Sequence, residues 1–240
     1  MINWDTILDM VPKLAQGALL TVELLLLSGL AGLALAVVLA IGRVSPNIWI
    51  SALPRAYIFF FRGTPLLVQI FLVYYGLGQF EAVRESFLWP VLREAYWCAV
   101  ITFALHTAAY IAEILRGAIQ AVPVGELEAA RAIGLRPMKI YTRILLPRAM
   151  RMAIPAYGNE IILMLKASAL ASTITLLDLT GMARTVYAKN YLPMETFLTA
   201  GAFYLALTFL LTRFIAFLEY RLHPDRRPPP TMRRPSPEET

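Results

Sequence analysis

Residues Glu128-Ala129-Ala130-Arg131-Ala132-Ile133-Gly134, followed after nine further residues by Ile144-Leu145-Leu146-Pro147, form a polar, basic island between two long apolar segments. The spacing predicts a short helix from Glu126 to Ile133. Glu126 and Glu128 fall in its first turn, where the positive end of the helix dipole favours carboxylates. Gly134 is free to adopt the left-handed conformation that ends a helix and turns the chain. Pro137 suits the first turn of a second helix, and Pro147 marks its far end. A compact helix-turn-helix over 121–148 is therefore expected to protrude from one side of a membrane.

The composition supports a membrane setting. Of 240 residues, 58% are hydrophobic and 16% charged, whereas soluble domains carry about a quarter charged residues. That length accommodates about five spans of roughly 20 residues each. An all-α integral membrane fold follows, with spans expected at about 17–42, 54–75, 94–119, 151–173 and 196–218. The first apolar segment is too long for a signal-peptide core, and no basic leader precedes it. Residues 1–16 set Trp4, Ile7, Leu8, Val11, Leu14 and Ala15 at helical spacing, with Asp5, Asp9 and Lys13 mostly opposite. That pattern predicts an amphipathic helix at the interface. The membrane domain then covers 17–222, and the Pro- and Arg-rich stretch 223–240 is expected to be a disordered tail.

Charge sets the topology. Arg43, Arg55 and Arg62 flank the first connection. Arg131, Arg136, Lys139, Arg143 and Arg148 crowd the helix-turn-helix, and Arg221, Arg226, Arg227, Arg233 and Arg234 the C-terminal end. The connections near Glu81–Glu94 and Asp178–Glu195 carry no excess of positive charge. The positive-inside rule puts the N-terminus outside, the C-terminus inside and the helix-turn-helix in the cytoplasm. The net charge of +6 thus reads as membrane anchoring and not as nucleic-acid binding.

The pattern Glu-Ala-Ala, three residues, Gly, nine residues, Ile-x-Leu-Pro resembles the cytoplasmic EAA loop of bacterial ABC importer permeases. Phe61-Arg62-Gly63-Thr64-Pro65-Leu66, Tyr110-Ile111-Ala112-Glu113-Ile114-Leu115-Arg116-Gly117, Gly158-Asn159-Glu160 and Lys166-Ala167-Ser168-Ala169-Leu170 are similar to spans of the polar amino acid permease family. The wording from Lys166 to Leu170, with Asp178-Leu179 after it, looks most like the branch importing histidine, arginine, lysine and opines. The resemblance implies a type I ABC importer permease in the bacterial inner membrane, multi-pass and not itself an enzyme. A second permease, identical or homologous, would share the path. Two ATPase subunits holding ATP and magnesium, and a periplasmic solute-binding protein, would complete the machine in membrane lipid. Glu126, Glu128, Ala129, Ala130, Arg131 and Gly134 would form the ATPase-coupling surface. This chain would carry no cofactor.

Ionisable groups inside spans need a partner or a role, because each costs about 2.5–3.5 kcal/mol near mid-bilayer. Glu160 and Lys166 in the fourth span stand about 9 Å apart along the axis. A zwitterionic amino acid brings an ammonium and a carboxylate that both need partners out of water. Lys166, aided by Ser168, suits the carboxylate, Glu160 a cationic side chain, and Asn159 shares a face with Lys166. Glu23 and His106 are further candidates for the substrate path, each with a structural hydrogen bond as the alternative. Glu113 and Arg116, three residues apart, are expected to pair as a brace. No phosphate-binding Gly-x-x-x-x-Gly-Lys-Ser/Thr motif is present. The two histidines and Cys98 have no metal-ligand spacing, and a lone cysteine forms no intrachain disulfide. An ion- or proton-coupled amino acid carrier, using Glu160, Lys166 and His106 as coupling groups, is the competing reading. Such carriers show internal repeats, and none is visible here.

Overall fold

The structure, a computed structural model, describes residues 4–222. Five membrane crossings can be drawn through it: three long apolar helices and two helix pairs, each bent at a short break. The first long helix is α1, Trp4–Arg43. α2 (Ile48–Gly63) and α3 (Leu66–Phe71) form the first bent pair. Two single turns, α4 (Glu81–Arg84) and α5 (Trp89–Leu92), lead into α6, Ala95–Gln120. α7 (Val124–Ala132) and α8 (Pro137–Ile140) make the helix-turn-helix. α9 (Leu146–Ala167) and α10 (Leu179–Asn190) belong to the second bent pair, and α11 is Pro193–Leu222.

α6 is the central element. Its small residues Ala99, Ala108, Ala109 and Ala112 are wholly buried, which lets neighbouring backbones approach closely. α1 runs along it more extensively than any other helix pair does. At Gly32 the approach is tight: a Cβ there would stand 2.9 Å from the Ala104 carbonyl oxygen. The Tyr57 hydroxyl donates to the Leu105 carbonyl over 2.7 Å, tying α2 to the same helix. One apolar cluster joins Ala108, Ile111 and Leu115 of α6 to Ala149 and Ala153 of α9. A second joins Cys98, Ala99 and Phe103 to Met164 and Leu165. α6 and α9 are therefore antiparallel neighbours.

Four expected features differ. The segment expected as a separate interfacial helix over 1–16 is, from Trp4 onward, the beginning of α1, with no break at 16–17. Met10 and Leu14 are buried against Leu179, Ala183 and Val186, while Leu8 is 68% exposed. Contact with α10 thus orients this segment, and a helix of about 60 Å outruns a hydrocarbon layer of about 30 Å. The expected span 54–75 is not one helix, because α2 and the helical stretch from Leu66 meet at 102°. Pro65 drives Thr64 into extended backbone, φ −114° and ψ 143°. Pro147 does not end the second loop helix. A π-helical turn, Tyr141–Leu145, precedes it, and the Leu146 N–H reaches back to the Tyr141 carbonyl. That wider turn relieves the clash a proline ring makes with the carbonyl four residues earlier. The helix-turn-helix therefore runs into the fourth span without a gap. The fourth difference is the helical hairpin made by α10 ahead of α11. The Asp178 carboxylate caps α10 by accepting from the Thr180 and Gly181 N–H groups, each at 3.2 Å. The expected disordered tail, 223–240, lies outside the described residues.

Candidate functional site

The helix-turn-helix has the expected grammar. Glu126 lies in the first turn of α7; Glu128 falls one residue beyond it, in the second. Gly134 has φ +75°, its N–H donates to the Arg131 carbonyl at 2.9 Å, and the Leu135 N–H donates to the Ala130 carbonyl at 3.1 Å. This is a Schellman cap, which satisfies carbonyls that a helix end leaves open. Ala130 is buried at 3% and faces inward. Glu128, Ala129, Arg131 and Gly134 are exposed on the outer side. Arg148 meets Glu126 at 3.6 Å and ties α7 to the base of α9. Val124, Ile133 and Met138 are 63%, 77% and 73% exposed. The unit therefore presents an apolar and charged surface with no described residue covering it.

The intramembrane residues divide into two sets. Asn159 and Lys166 are both exposed and share one face of α9, about 10 Å apart along the axis. Glu160 is turned away from them and is buried at 8%. Ser168 is 1% exposed, and its hydroxyl donates to the Leu165 carbonyl at 2.7 Å. It lies on the buried side of the chain, whereas Lys166 is on the exposed face of α9. Glu23 is exposed on α1 and accepts a 2.6 Å hydrogen bond from the Tyr96 hydroxyl. Tyr96 lies about 15 Å along α6 from His106, so Glu23 is remote from the other candidates.

His106 and Glu160 stand at one level. Cys98–Phe103 pack with Met164 and Leu165, and Ala108–Leu115 with Ala149 and Ala153. Antiparallel register between those contacts sets His106 at about the height of residues 157–160 along the two helices. Nδ1 of His106 lies 3.0 Å from Oε1 of Gln69, a residue the sequence did not single out. The Gln69 amide nitrogen donates to the Phe61 carbonyl at 2.9 Å, the Thr64 carbonyl at 3.1 Å and the Thr64 hydroxyl at 2.7 Å. The break between α2 and α3 strands those carbonyls, and lipid offers no water to satisfy them. Tyr110 packs 4.9 Å from His106, and Arg62 stacks 5.2 Å above the Tyr110 ring.

One turn further, Arg116 pairs with Glu113 at 2.6 Å and also donates to Gln120. Arg43, Arg55 and Arg62 join Tyr110 and Glu113 around an open cleft of about 560 Å³. A polar track thus descends one face of α6, from Gln69 and His106 through Tyr110 to Glu113. The charge of Arg62 acts on both Glu113 and Glu160. Residue spacing alone reveals the stripe 106, 110, 113, but not Gln69, which reaches it only because the second span bends. Among the described residues no group of His, Cys, Asp and Glu side chains is arranged to hold a metal ion.

A polytopic helical membrane protein with a polar track between its spans, and a protruding helix-turn-helix continuous with one of them, is built as a permease. The chain belongs to the family described as the binding-protein-dependent transport system inner membrane component, whose model matches residues 32–224. It is 48% identical over 224 residues to the octopine transport system permease protein OccM of Rhizobium meliloti, covering 93% of this chain and 90% of that one. It is 45% identical over 196 residues to the histidine/lysine/arginine/ornithine transport system permease protein HisM of Escherichia coli, covering 81% and 82%. A crystal structure of an amino acid ABC transporter with histidines superposes with a TM-score of 0.82 at 31% identity, over 92% of this chain and 99% of that one. Inward-facing structures of the MetNI methionine ABC transporter share the fold, with a TM-score of 0.71 at 20% identity. The protein is therefore a multi-pass permease component of a binding-protein-dependent transport system, with the type I permease fold.

Proposed function

We propose that this chain is the permease subunit of an ATP-driven importer of cationic amino acids or opines, and that Glu160 receives the cationic side chain. One observation carries the substrate reading. Glu160 is buried within a membrane-spanning helix; the charge of Arg62 reaches it, but among the described residues no cation forms an ion pair with it. A carboxylate left in that condition is costly, and a passing guanidinium, ammonium or imidazolium would offset the cost. Lys166, exposed on the face of the same helix that carries Asn159, is suited to the substrate carboxylate. Relatives named for octopine, nopaline, arginine and histidine transport, matching most of the chain, support the same class.

Coupling follows from the continuity of α8, the π turn and α9. Two ATPase subunits, holding ATP and magnesium, would grip the exposed face of α7 on each of two permeases. Closure of the ATPases would move the helix-turn-helix, and because no loop intervenes, tilt the fourth span and open the path outward. A periplasmic binding protein would deliver substrate from that side. The N-terminus would lie in the periplasm and the C-terminus in the cytoplasm. The test is uptake of radiolabelled arginine, histidine, octopine and glutamine into vesicles holding the complete importer, with ATP inside and loaded binding protein outside. ATP-dependent uptake of the cationic compounds and octopine above glutamine is expected. Uptake driven by an ion gradient without ATP would overturn the reading.

A further inference from the structure

We infer that the neutral His106 imidazole accepts the α-ammonium group of the transported amino acid on Nε2, and that Gln69 is the positioning residue that makes Nε2 an acceptor. The inference rests on the substrate reading above and supplies the group that reading leaves without a partner. Lys166 serves the carboxylate and Glu160 the side-chain cation, yet an α-ammonium leaving water also requires an acceptor.

The geometry fixes the proton. The Gln69 amide nitrogen faces three oxygens, at 2.9, 3.1 and 2.7 Å. Those three acceptors determine which end of the amide is nitrogen. Oε1 therefore faces Nδ1 of His106 at 3.0 Å, and an amide oxygen only accepts. A neutral imidazole has one proton, which must sit on Nδ1 to make this bond. Nε2 then carries a lone pair. Among the described residues Nε2 has no hydrogen-bond partner, and it is not among the side-chain atoms sealed from the surface without one. A lone pair is thus held open at the level of Glu160. Gln69 itself is buried at 4%, and its amide is anchored at the bend between α2 and α3. Rearrangement of that bend during the transport cycle would move the acceptor with it.

The test uses the purified importer complex, titrated calorimetrically with arginine and with des-amino arginine, which lacks only the α-ammonium. The wild type should bind arginine at least about tenfold more tightly, the scale of one hydrogen bond to a charged group. His106→Asn retains an N–H for Gln69 but removes the acceptor. It should bring the two ligands within about twofold of each other, with the thermal midpoint of the complex unchanged. His106→Gln, whose longer amide can return an oxygen near the Nε2 position, should restore most of the discrimination. Gln69→Leu should reduce it, because the imidazole proton is then no longer held on Nδ1. Unchanged discrimination in His106→Asn would overturn the inference. So would a loss that tracks a lowered thermal midpoint and is not restored by His106→Gln, which would mark an interhelix brace. If Glu160→Gln and Lys166→Met weaken arginine binding while His106→Asn does not, this inference falls and the substrate reading stands. If none of the three changes binding, both fall.

Discussion

Gly134→Val isolates the conformational requirement at the end of α7. Gly134 holds φ +75°, and no atom lies within 4 Å of where a Cβ would stand. Crowding therefore contributes nothing, and the whole cost is that of left-handed backbone in an L-residue, about 1–2 kcal/mol and more for a branched side chain. At about 2 kcal/mol the capped geometry becomes roughly thirtyfold less populated relative to alternatives. The hydrogen bonds at stake are those from the Gly134 and Leu135 N–H groups to the Arg131 and Ala130 carbonyls. Losing them would redirect α8, and with it the base of α9. Because the loop is exposed, the membrane-embedded bundle should assemble normally, and the thermal midpoint of the purified complex should hold. Uptake by the reconstituted importer should fall at least about tenfold, with ATP hydrolysis no longer stimulated by loaded binding protein. Gly134→Asn, which tolerates this region, should retain most uptake. Normal uptake by Gly134→Val, or equal losses from Val and Asn, would refute the reasoning.

Reversing the exposed charge with Glu128→Lys should weaken ATPase attachment; co-purification of the ATPase at wild-type level together with unchanged coupled hydrolysis would count against that surface. Asp178→Ala removes a wholly buried cap that accepts two backbone N–H groups. It should destabilise the complex by about 2 kcal/mol, the upper end for a helix cap, and Asp178→Asn should cost less, as read from thermal unfolding in detergent. In a Cys98→Ala background, Glu85→Cys should react with a membrane-impermeant thiol reagent added outside intact cells, and Pro46→Cys only after the membrane is opened. The reverse pattern would invert the orientation.

Much of this architecture is legible in the sequence, because long apolar runs and capping residues act locally. The third span, expected at 94–119, is α6 at Ala95–Gln120. The Gly134 cap and the Glu113–Arg116 pair form as their spacing indicates. What local rules missed is set by tertiary contacts. Pro147 is a stop signal by itself, but a π turn ahead of it carries the helix through. The N-terminal twelve or so residues read as interfacial by periodicity, yet α10 covers Met10 and Leu14. Gly63-Thr64-Pro65 contains a break signal that hydropathy averaging overrides, and Gln69 acquires its role only through that break. Ser168 is a polar residue beside Lys166 in sequence but lies on the buried side of the helix, where its hydroxyl closes onto Leu165. Chain adjacency carries no information about which face a residue occupies once the regular helix tightens after Ala167.

The most direct test of the central claim is competitive uptake by Glu160→Gln in the reconstituted importer at saturating binding protein. Glu160 is a buried carboxylate, and an amide cannot replace its charge for a cation in a low-dielectric path. Arginine, lysine and histidine uptake should therefore fall far more than uptake of any neutral amino acid the importer accepts. Lys166→Met, by contrast, should depress all of them, since the carboxylate is common to every substrate. Equal reduction of cationic and neutral uptake in Glu160→Gln would contradict the account, leaving Glu160 as a structural group in the fourth span.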